Sequence, residues 1–301
     1  MSQNKAQLEN WCYLACLLEA TARKPGNVHP GVSFPDLTYV DFLRSARAIA
    51  PLLPQSEPGR IGETILNCIT ATRDVSASNS NLGMVLLLAP LLAIPNELTI
   101  SAGIESVLEG LSVADARLVY EAIRVACPGG LGETETQDIS DEPTDTLREV
   151  MALAAERDAV AREYASGFQI TLQTAVPALQ EFWNQSSDWE TAVIRLQLQL
   201  MADCPDTLIA RKCGSAEAKE AARRARETLQ SEDFQSGLQE LDRWLRETGN
   251  RRNPGTTADL IVAALFVALR DGFIKPPAPA TIREKVPPPF QAELSSLIHE
   301  G

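Results

Sequence analysis

Four short segments of the chain combine residue types that together bind phosphate. Each places one or two cations beside Gly, Ser, Asn or Thr, and each includes or adjoins a carboxylate. They are Arg23–His29, Arg73–Gly83, Asp206–Gly214 and Arg251–Asp259. Backbone N–H groups at glycine-containing turns and helix N-termini bind anions, and cationic side chains add charge-assisted hydrogen bonds. The repeated pattern predicts one shared site for a phosphorylated ligand.

The last segment leads directly into the apolar run Leu260–Leu269. Asn253-Pro254-Gly255 interrupts the chain, Thr256 is a typical N-cap residue, and Asp259 follows at nearly capping-box spacing. Two arginines precede this helix start, where the positive end of the helix favours an anion. The segment therefore predicts a helix N-terminus at one wall of the site.

Each segment also has a simpler structural explanation. The Lys24–Asn27 stretch is a turn sequence, and Ser78–Asn81 is suited to cap the following helix. Asp206 after a proline is typical of a helix start, and Asp259 completes a capping box. Four such segments in one acidic chain nevertheless favour a binding site over four unrelated turns.

Glu19 is a sharper candidate because it lies on the apolar face of the first amphipathic stretch. A carboxylate facing a core is costly unless it is paired or used. One interpretation is a salt bridge to Arg23 or to a distant arginine. The other is a metal ligand or a general base.

The composition excludes several classes of protein. The net charge is −13 and the isoelectric point is near 4.7, which argues against nucleic acid or an anionic membrane as a partner. Six cysteines without a CxxC pair, and only two histidines, argue against a zinc site. Without a signal-peptide pattern or a run long enough to span a bilayer, the sequence predicts a cytoplasmic protein with reduced thiols. A homo-oligomer is left open.

Hydrophobic residues recur with helical spacing almost throughout, and no stretch alternates as a strand would. The sequence predicts an all-α fold, a single multi-helix domain (1–301) of roughly ten or more helices, with the site where loops meet helix N-termini. Residues 276–301 are expected to form a proline-rich connector and C-terminal segment, and 129–143 a loop that either flexes or acts as a lid. The predicted helices cover about 5–23, 39–53, 61–72, 99–109, 112–126, 144–180, 189–202, 216–247 and 257–271.

In this order, the four segments resemble the triphosphoribosyl-dephospho-CoA synthase family across about residues 15–270. The family's Glu-x-Thr-x-Lys-Pro-Gly is similar to Glu19–Gly26, with small spacing differences, and its Asn-Thr-His-Lys-Gly aligns with Asn79–Gly83. A later Asp-Thr followed by Arg-Gly-Gly aligns with Asp206–Gly214. The most specific motif, Asn-Pro-Gly-Gly-Ser-Ala-Asp-Leu, resembles Asn253–Leu260.

The resemblance implies transfer of the triphosphoribosyl group of ATP to a hydroxyl of 3′-dephospho-CoA, with release of adenine. Substitution at the anomeric carbon needs a base, a proton donor and stabilisation of an oxocarbenium-like state. ATP also implies Mg²⁺ held by carboxylates. The implied catalytic and metal-binding residues are Glu19, Asp206 and Asp259, with Asp36 or Asp74 assisting. The implied phosphate- and substrate-binding residues are Lys24, Asn27, Ser78, Asn79, Asn81, Arg211, Lys212, Arg252 and Asn253.

The sequence departs from the family pattern at three places. The family's His-Lys is Asn81-Leu82, its Gly-Ala-His-x-Asp-Met is Gly31–Asp36, and its Arg-Gly-Gly is Lys212-Cys213-Gly214. Loss of polar groups in a site alters substrate choice more than fold. The departures keep three alternatives open: transfer to a different cofactor precursor, a non-catalytic nucleotide-binding protein derived from the family, and a helical hydrolase of a ribosyl bond.

Overall fold

Helices are the regular elements of this protein. The computed structural model describes residues 2–126, 139–186, 188–288 and 291, and over these ranges it contains fifteen α-helices and no β-strand. The predicted all-α fold is therefore confirmed. The helices are α1 (Ser2–Thr21), α2 (Tyr39–Ile49), α3 (Ile61–Val75), α4 (Leu82–Leu92), α5 (Ile100–Glu109), α6 (Val113–Ala126), α7 (Leu147–Ala154), α8 (Ala159–Ser166), α9 (Val176–Gln185), α10 (Trp189–Asp203), α11 (Thr207–Cys213), α12 (Ser215–Gln230), α13 (Phe234–Arg246), α14 (Gly255–Arg270) and α15 (Pro279–Arg283).

Helix α14 forms the centre of the core. Every residue from Leu260 to Leu269 is buried, as expected for a helix that is apolar on all sides. It packs against α1, α4, α8, α9, α10 and α11. The N-terminal turn of α14 is consequently held from several directions at once.

The apolar run that begins at Leu82 forms the buried helix α4, although Pro90 lies inside it. A proline at this position cannot donate a hydrogen bond to the carbonyl of Leu86, four residues earlier. The hydroxyl of Tyr164 donates to that carbonyl at 2.6 Å instead. A side chain from α8 thus satisfies the acceptor that Pro90 leaves free, and joins α8 to α4.

The single long helix predicted over 144–180 is wrong, because the chain is broken twice there. Asp158 starts α8 by accepting hydrogen bonds from the N–H groups of Val160 and Ala161, and Gly167 ends α8 in the left-handed conformation. A π-helix, Ile170–Ala175, then leads into α9. Both breaks were missed because the residues on either side of them have strong helix propensity.

The predicted helix over 216–247 is also two helices, α12 and α13, separated where Asp233 caps α13. With α10 and α11 they enclose a second, smaller apolar cluster. Its buried members are Leu198, Met201, Ile209, Ala218, Ala221, Ala225, Leu241 and Leu245. This cluster packs against the Asp206–Gly214 segment through Ile209, Ala210 and Cys213.

Glu163 on α8 is fully buried, and burial raises its pKa to about 7. One carboxylate oxygen, Oε1, accepts hydrogen bonds from the N–H and the hydroxyl of Thr171, while Oε2 has no partner among the described residues. The folded protein binds a proton more tightly here than the unfolded chain does, so stability falls as the pH rises through that range.

Replacing Glu163 by glutamine is expected to remove this pH dependence. As the pH is raised from 5 to 8, the unfolding free energy of wild type should fall by about 2 kcal/mol more than that of Glu163→Gln. The figure follows from about 1.4 kcal/mol per pKa unit. Urea unfolding at both pH values measures the difference. Glu181→Gln, an exposed position on α9, is the control. If wild type and Glu163→Gln differ in unfolding free energy by the same amount at pH 5 and at pH 8, the raised pKa of Glu163 would be contradicted.

Two predicted segments lie partly outside the described residues. Of the loop over 129–143, only 139–143 is described, so its closure over the site is untested. In the proline-rich connector over 276–301, α15 is described, while 289–290 and 292–301 are not. Among the described helices, none combines the length and apolar character that crossing a bilayer requires.

Candidate active site

A cavity of about 700 Å³ opens where the four segments meet. The first turns of α4, α8 and α14 contribute to its wall, in agreement with the predicted position at loop and helix N-terminus junctions. Predicted residues that line it are Glu19, Asn27, Ser78, Asn79, Asn81, Arg211, Lys212, Asn253 and Asp259. Segments distant in sequence therefore share one polar chamber.

Asp259 and Gly83 bring two of the motifs into close contact. A Cβ atom on Gly83 would overlap the carboxylate of Asp259, so only glycine lets α4 and α14 approach this closely. Asp259 accepts no hydrogen bond from the part of the chain that the structure describes. Burial, reinforced by the charges of Glu19 and Asp158, raises the pKa of Asp259 well above its ordinary value.

Glu19 reaches the same cavity from the last turn of α1 and is paired with Lys24. The ammonium of Lys24 lies 2.9 Å from Glu19 Oε1 and also donates to the backbone carbonyls of Glu19 and Ala22. Lys24 is fully buried and does not line the cavity. The structure therefore differs from the prediction that Lys24 binds phosphate: its three donors hold Glu19 in place.

Asn27 and Asn253 connect the first and last segments. The side-chain amide of Asn27 donates to Asn253 Oδ1 at 2.7 Å, and its oxygen accepts from Gln197 at 2.8 Å. Gln197, fully buried on α10, also donates to the carbonyl of Pro25 at 2.9 Å. This network fixes the two loops relative to each other and leaves both asparagines at the cavity wall.

The segment before α4 supplies hydroxyl and amide groups. Asn79 Oδ1 accepts from the N–H of Leu82 at 3.2 Å and so caps α4, while Ser78 Oγ donates to the carbonyl of Asp36. Asn81 is buried, donates to Thr72 Oγ1 at 3.0 Å, and has an Oδ1 without a partner among the described residues. Asn81 therefore retains an unused acceptor at the cavity.

Asp206 is placed differently from its prediction as a catalytic and metal-binding residue. It is buried and does not line the cavity. Oδ1 caps α11, while Oδ2 accepts from the N–H and hydroxyl of Thr257 in the first turn of α14. Asp206 thus caps two helices and joins them. It also replaces the predicted N-cap, because α14 begins at Gly255 without a cap from Thr256.

Arg252 is likewise outside the cavity lining. Its guanidinium pairs with Glu217 and Glu247 and lies over the ring of Trp244, with 4.1 Å from Cζ to the ring centroid. The predicted phosphate contact is therefore corrected to a structural link between the segment before α14 and the α12–α13 pair. Asp74, considered as an assisting carboxylate, is exposed and does not line the cavity, whereas Asp36 does.

The sequence interpretation missed one wall of the cavity entirely. Arg157 and Asp158 line it at the start of α8, and the ion pair between Asp158 and Arg211 closes that side. Beyond them the wall is apolar, formed by α6 and α7. The signal was an aspartate inside a stretch of strong helix formers, because aspartate favours N-caps over helix interiors.

The predicted metal set does not come together. Glu19 and Asp259 face the cavity, but Asp206 is used for capping, and the described residues contain no group of three or more His, Cys, Asp or Glu that could hold a metal ion. A magnesium ion bound mainly by phosphates needs only one or two carboxylates from the protein. The described residues therefore do not form a dedicated metal cage.

Carboxylates, cations and amides thus meet in one chamber of an all-helical protein, as an enzyme acting on a phosphorylated substrate requires. Comparison with known proteins identifies its family. Residues 5–275 match the family model described as ATP:dephospho-CoA triphosphoribosyl transferase, and the chain belongs to this family.

One solved structure is similar over most of the chain. It is a protein from Archaeoglobus fulgidus described as a triphosphoribosyl-dephospho-CoA synthase, 27% identical in sequence, with a TM-score of 0.60. The match covers 77% of this chain and 100% of that one. No curated protein matches the chain. The family that the sequence motifs resemble is thereby confirmed.

Proposed function

We propose that in this cavity the protein transfers the triphosphoribosyl group of ATP to a hydroxyl of dephospho-CoA and releases adenine. The observation that carries the proposal is the contact between Gly83 and Asp259, which unites two of the family's motifs at the cavity wall beside Glu19. The family's activity supplies the reaction, and the cavity supplies groups of the types that this reaction requires.

Three features support binding of the triphosphate. The N-terminal turns of α4 and α14 line the cavity, and the positive end of each helix dipole favours an anion. Arg211 and Lys212 add cationic side chains at the same wall. The side chains proposed to hydrogen-bond the substrate are Asn27, Ser78, Asn79, Asn81 and Asn253.

Asp259 and Glu19 are proposed to move the protons. As the acceptor oxygen bonds to the anomeric carbon, the bond from that carbon to adenine breaks, and adenine leaves with the electron pair. Asp259, whose pKa is raised by burial, donates a proton to the departing base. Glu19 accepts the proton of the attacking hydroxyl, held in position by Lys24. The triphosphate remains on the ribose.

Magnesium is proposed to enter with ATP as the counter-ion of its phosphates. It would neutralise part of the triphosphate charge, while this chain's own side chains bind and orient the ribose and the acceptor. The protein is further proposed to work in the cytoplasm. Its described cysteines, Cys12, Cys16, Cys68, Cys204 and Cys213, are all free thiols, which suits a reducing compartment.

The reaction is tested with purified protein, ATP, Mg²⁺ and dephospho-CoA, and adenine is followed by liquid chromatography. We expect adenine to appear only when the acceptor is present. Binding of ATP without adenine release, with dephospho-CoA and with other hydroxylated cofactor precursors, would overturn the transferase proposal and favour a non-catalytic binder. Adenine release that is independent of any acceptor would instead indicate a ribosyl hydrolase.

Alanine at Gly83 is expected to lower the kcat for adenine release about a hundredfold. Its methyl group would displace the Asp259 carboxylate, and misplacing a catalytic group by about 1 Å costs about that factor. Steady-state kinetics measure the effect. The matched control is Gly237→Ala on α13, where a Cβ would lie 3.3 Å from Thr228 Cγ2, remote from the cavity. Equal kcat values for the two variants would contradict the prediction.

A further inference from the structure

Asp158 uses its two carboxylate oxygens for different purposes. Oδ1 accepts hydrogen bonds from Val160 N at 2.8 Å and Ala161 N at 3.2 Å, which caps α8. Oδ2 forms an ion pair with Nη1 of Arg211 on α11. Capping requires only one side-chain oxygen, so the second contact is independent of the start of α8.

Arg211 keeps unused donors at the cavity. A guanidinium has five N–H donors in a planar fork, and Asp158 contacts only Nη1 of the Arg211 guanidinium. Its Nη2 is accessible and has no hydrogen-bond partner among the described residues, and the side chain lines the cavity. Phosphate oxygens are strong acceptors for a free guanidinium donor of this kind.

A second cation adjoins this pair. Arg157 immediately precedes Asp158, is exposed at the cavity wall, and forms no side-chain ion pair or hydrogen bond with the described part of the chain. Arg157 thus adjoins Asp158 in the sequence, and Arg211 pairs with it in space. Two cations around one carboxylate leave a net positive charge on this wall.

We propose that Asp158 is a positioning residue: it holds the guanidinium of Arg211 so that the free Nη2 group, together with Arg157, binds the triphosphate of ATP. This inference rests on the proposed function. It separates the site into a phosphate-binding wall around α8 and α11 and a proton-transfer wall formed by Glu19 and Asp259. Asp158 itself contacts no reacting atom.

Asp158→Asn tests the inference, because asparagine is an equally good N-cap but lacks the charge that orients Arg211. We expect the KM for ATP and the inhibition constant for tripolyphosphate to rise about tenfold, and kcat to change much less, because burial raises the pKa of Asp259 more than the charge of Asp158 does. The matched control is Asp188→Asn. Asp188 caps α10 through Oδ1 in the same way, on Glu190 N and Thr191 N, and does not line the cavity. This control should leave both constants at their wild-type values.

The double variant Asp158→Asn/Arg211→Ala should bind ATP no more weakly than Arg211→Ala alone, because the proposed role of Asp158 acts through Arg211. If Asp158→Asn does not fold, Arg211→Lys replaces it: the capping oxygen is untouched and the planar fork is lost, so the KM for ATP should rise about tenfold. An unchanged KM in whichever single variant folds, or full additivity in the double variant, would overturn the inference.

Calorimetric binding of tripolyphosphate keeps this inference separate from the proposed function. If wild-type protein binds tripolyphosphate but never releases adenine, the transferase reaction is contradicted. The phosphate-binding role of this wall is still supported in that case if Asp158→Asn weakens tripolyphosphate binding about tenfold. If wild-type protein releases adenine and Asp158→Asn has the same KM for ATP, the transferase reaction is supported but the role of Asp158 is overturned.

Discussion

Asparagine in place of Asp259 is expected to lower the kcat for adenine release about a thousandfold, with little change in the melting temperature. Asparagine has nearly the same shape beside Gly83 but cannot donate a proton to the leaving base, and general acid catalysis contributes about 10²–10⁴ in rate. Because burial and neighbouring negative charges already disfavour the ionised carboxylate, removing the charge should not destabilise the fold. Single-turnover kinetics with saturating ATP measure the effect.

Asp74→Asn is the control for this experiment, since Asp74 is an exposed aspartate outside the cavity lining. Its kcat should equal that of wild type. The melting temperature of Asp259→Asn separates a chemical effect from misfolding. A kcat within about threefold of wild type would contradict the assignment of the proton donor, because so small a loss is far below the contribution of an acid catalyst.

Methionine in place of Lys24 is expected to lower the unfolding free energy by about 3–5 kcal/mol. Lys24 is the fully buried partner of Glu19, and removing one member of a buried ion pair leaves an uncompensated charge. The two backbone carbonyls that Lys24 satisfies would also lose a donor. The midpoint of urea unfolding, with an unchanged slope, measures the loss.

The double variant Glu19→Gln/Lys24→Met distinguishes the unpaired charge from a packing defect. With the buried carboxylate neutralised, most of the lost stability should return, although adenine release should be lost because Glu19 is the proposed base. If Lys24→Met unfolds at the same urea concentration as wild type, Lys24 does not have the structural role assigned to it. A double variant no more stable than the single one would indicate lost packing.

Helical periodicity predicted the fold class and most helices, because burial of one face leaves a regular pattern in the sequence. Breaks within polar, helix-forming stretches were less visible. The predicted helix over 144–180 divides where Asp158 caps α8 and Gly167 ends it, and both residues have local reasons for doing so. Strong flanking propensity concealed these breaks. Helix α11, with seven residues, is too short to show a clear period.

Local motifs predicted which segments line the cavity but not the contact made by each side chain. Lys24 lies in the right segment but pairs with Glu19, five residues earlier. Asp206 and Arg252 also lie in the right segments, but they pair with Thr257 and Glu217 on other helices. Such pairings depend on how helices pack, which short-range patterns do not encode. The same limit explains why the wall formed by Arg157 and Asp158 was missed.

Intact transfer of the triphosphoribosyl group is the central claim, and ATP labelled in both the ribose and the γ-phosphate tests it most directly. After incubation with dephospho-CoA and Mg²⁺, the product is isolated by chromatography and its two labels are counted. We predict that both labels appear in the dephospho-CoA adduct in the same ratio as in ATP, with an equal amount of free adenine. Label that remains wholly in ATP, or ribose label that never joins the acceptor, would contradict the account.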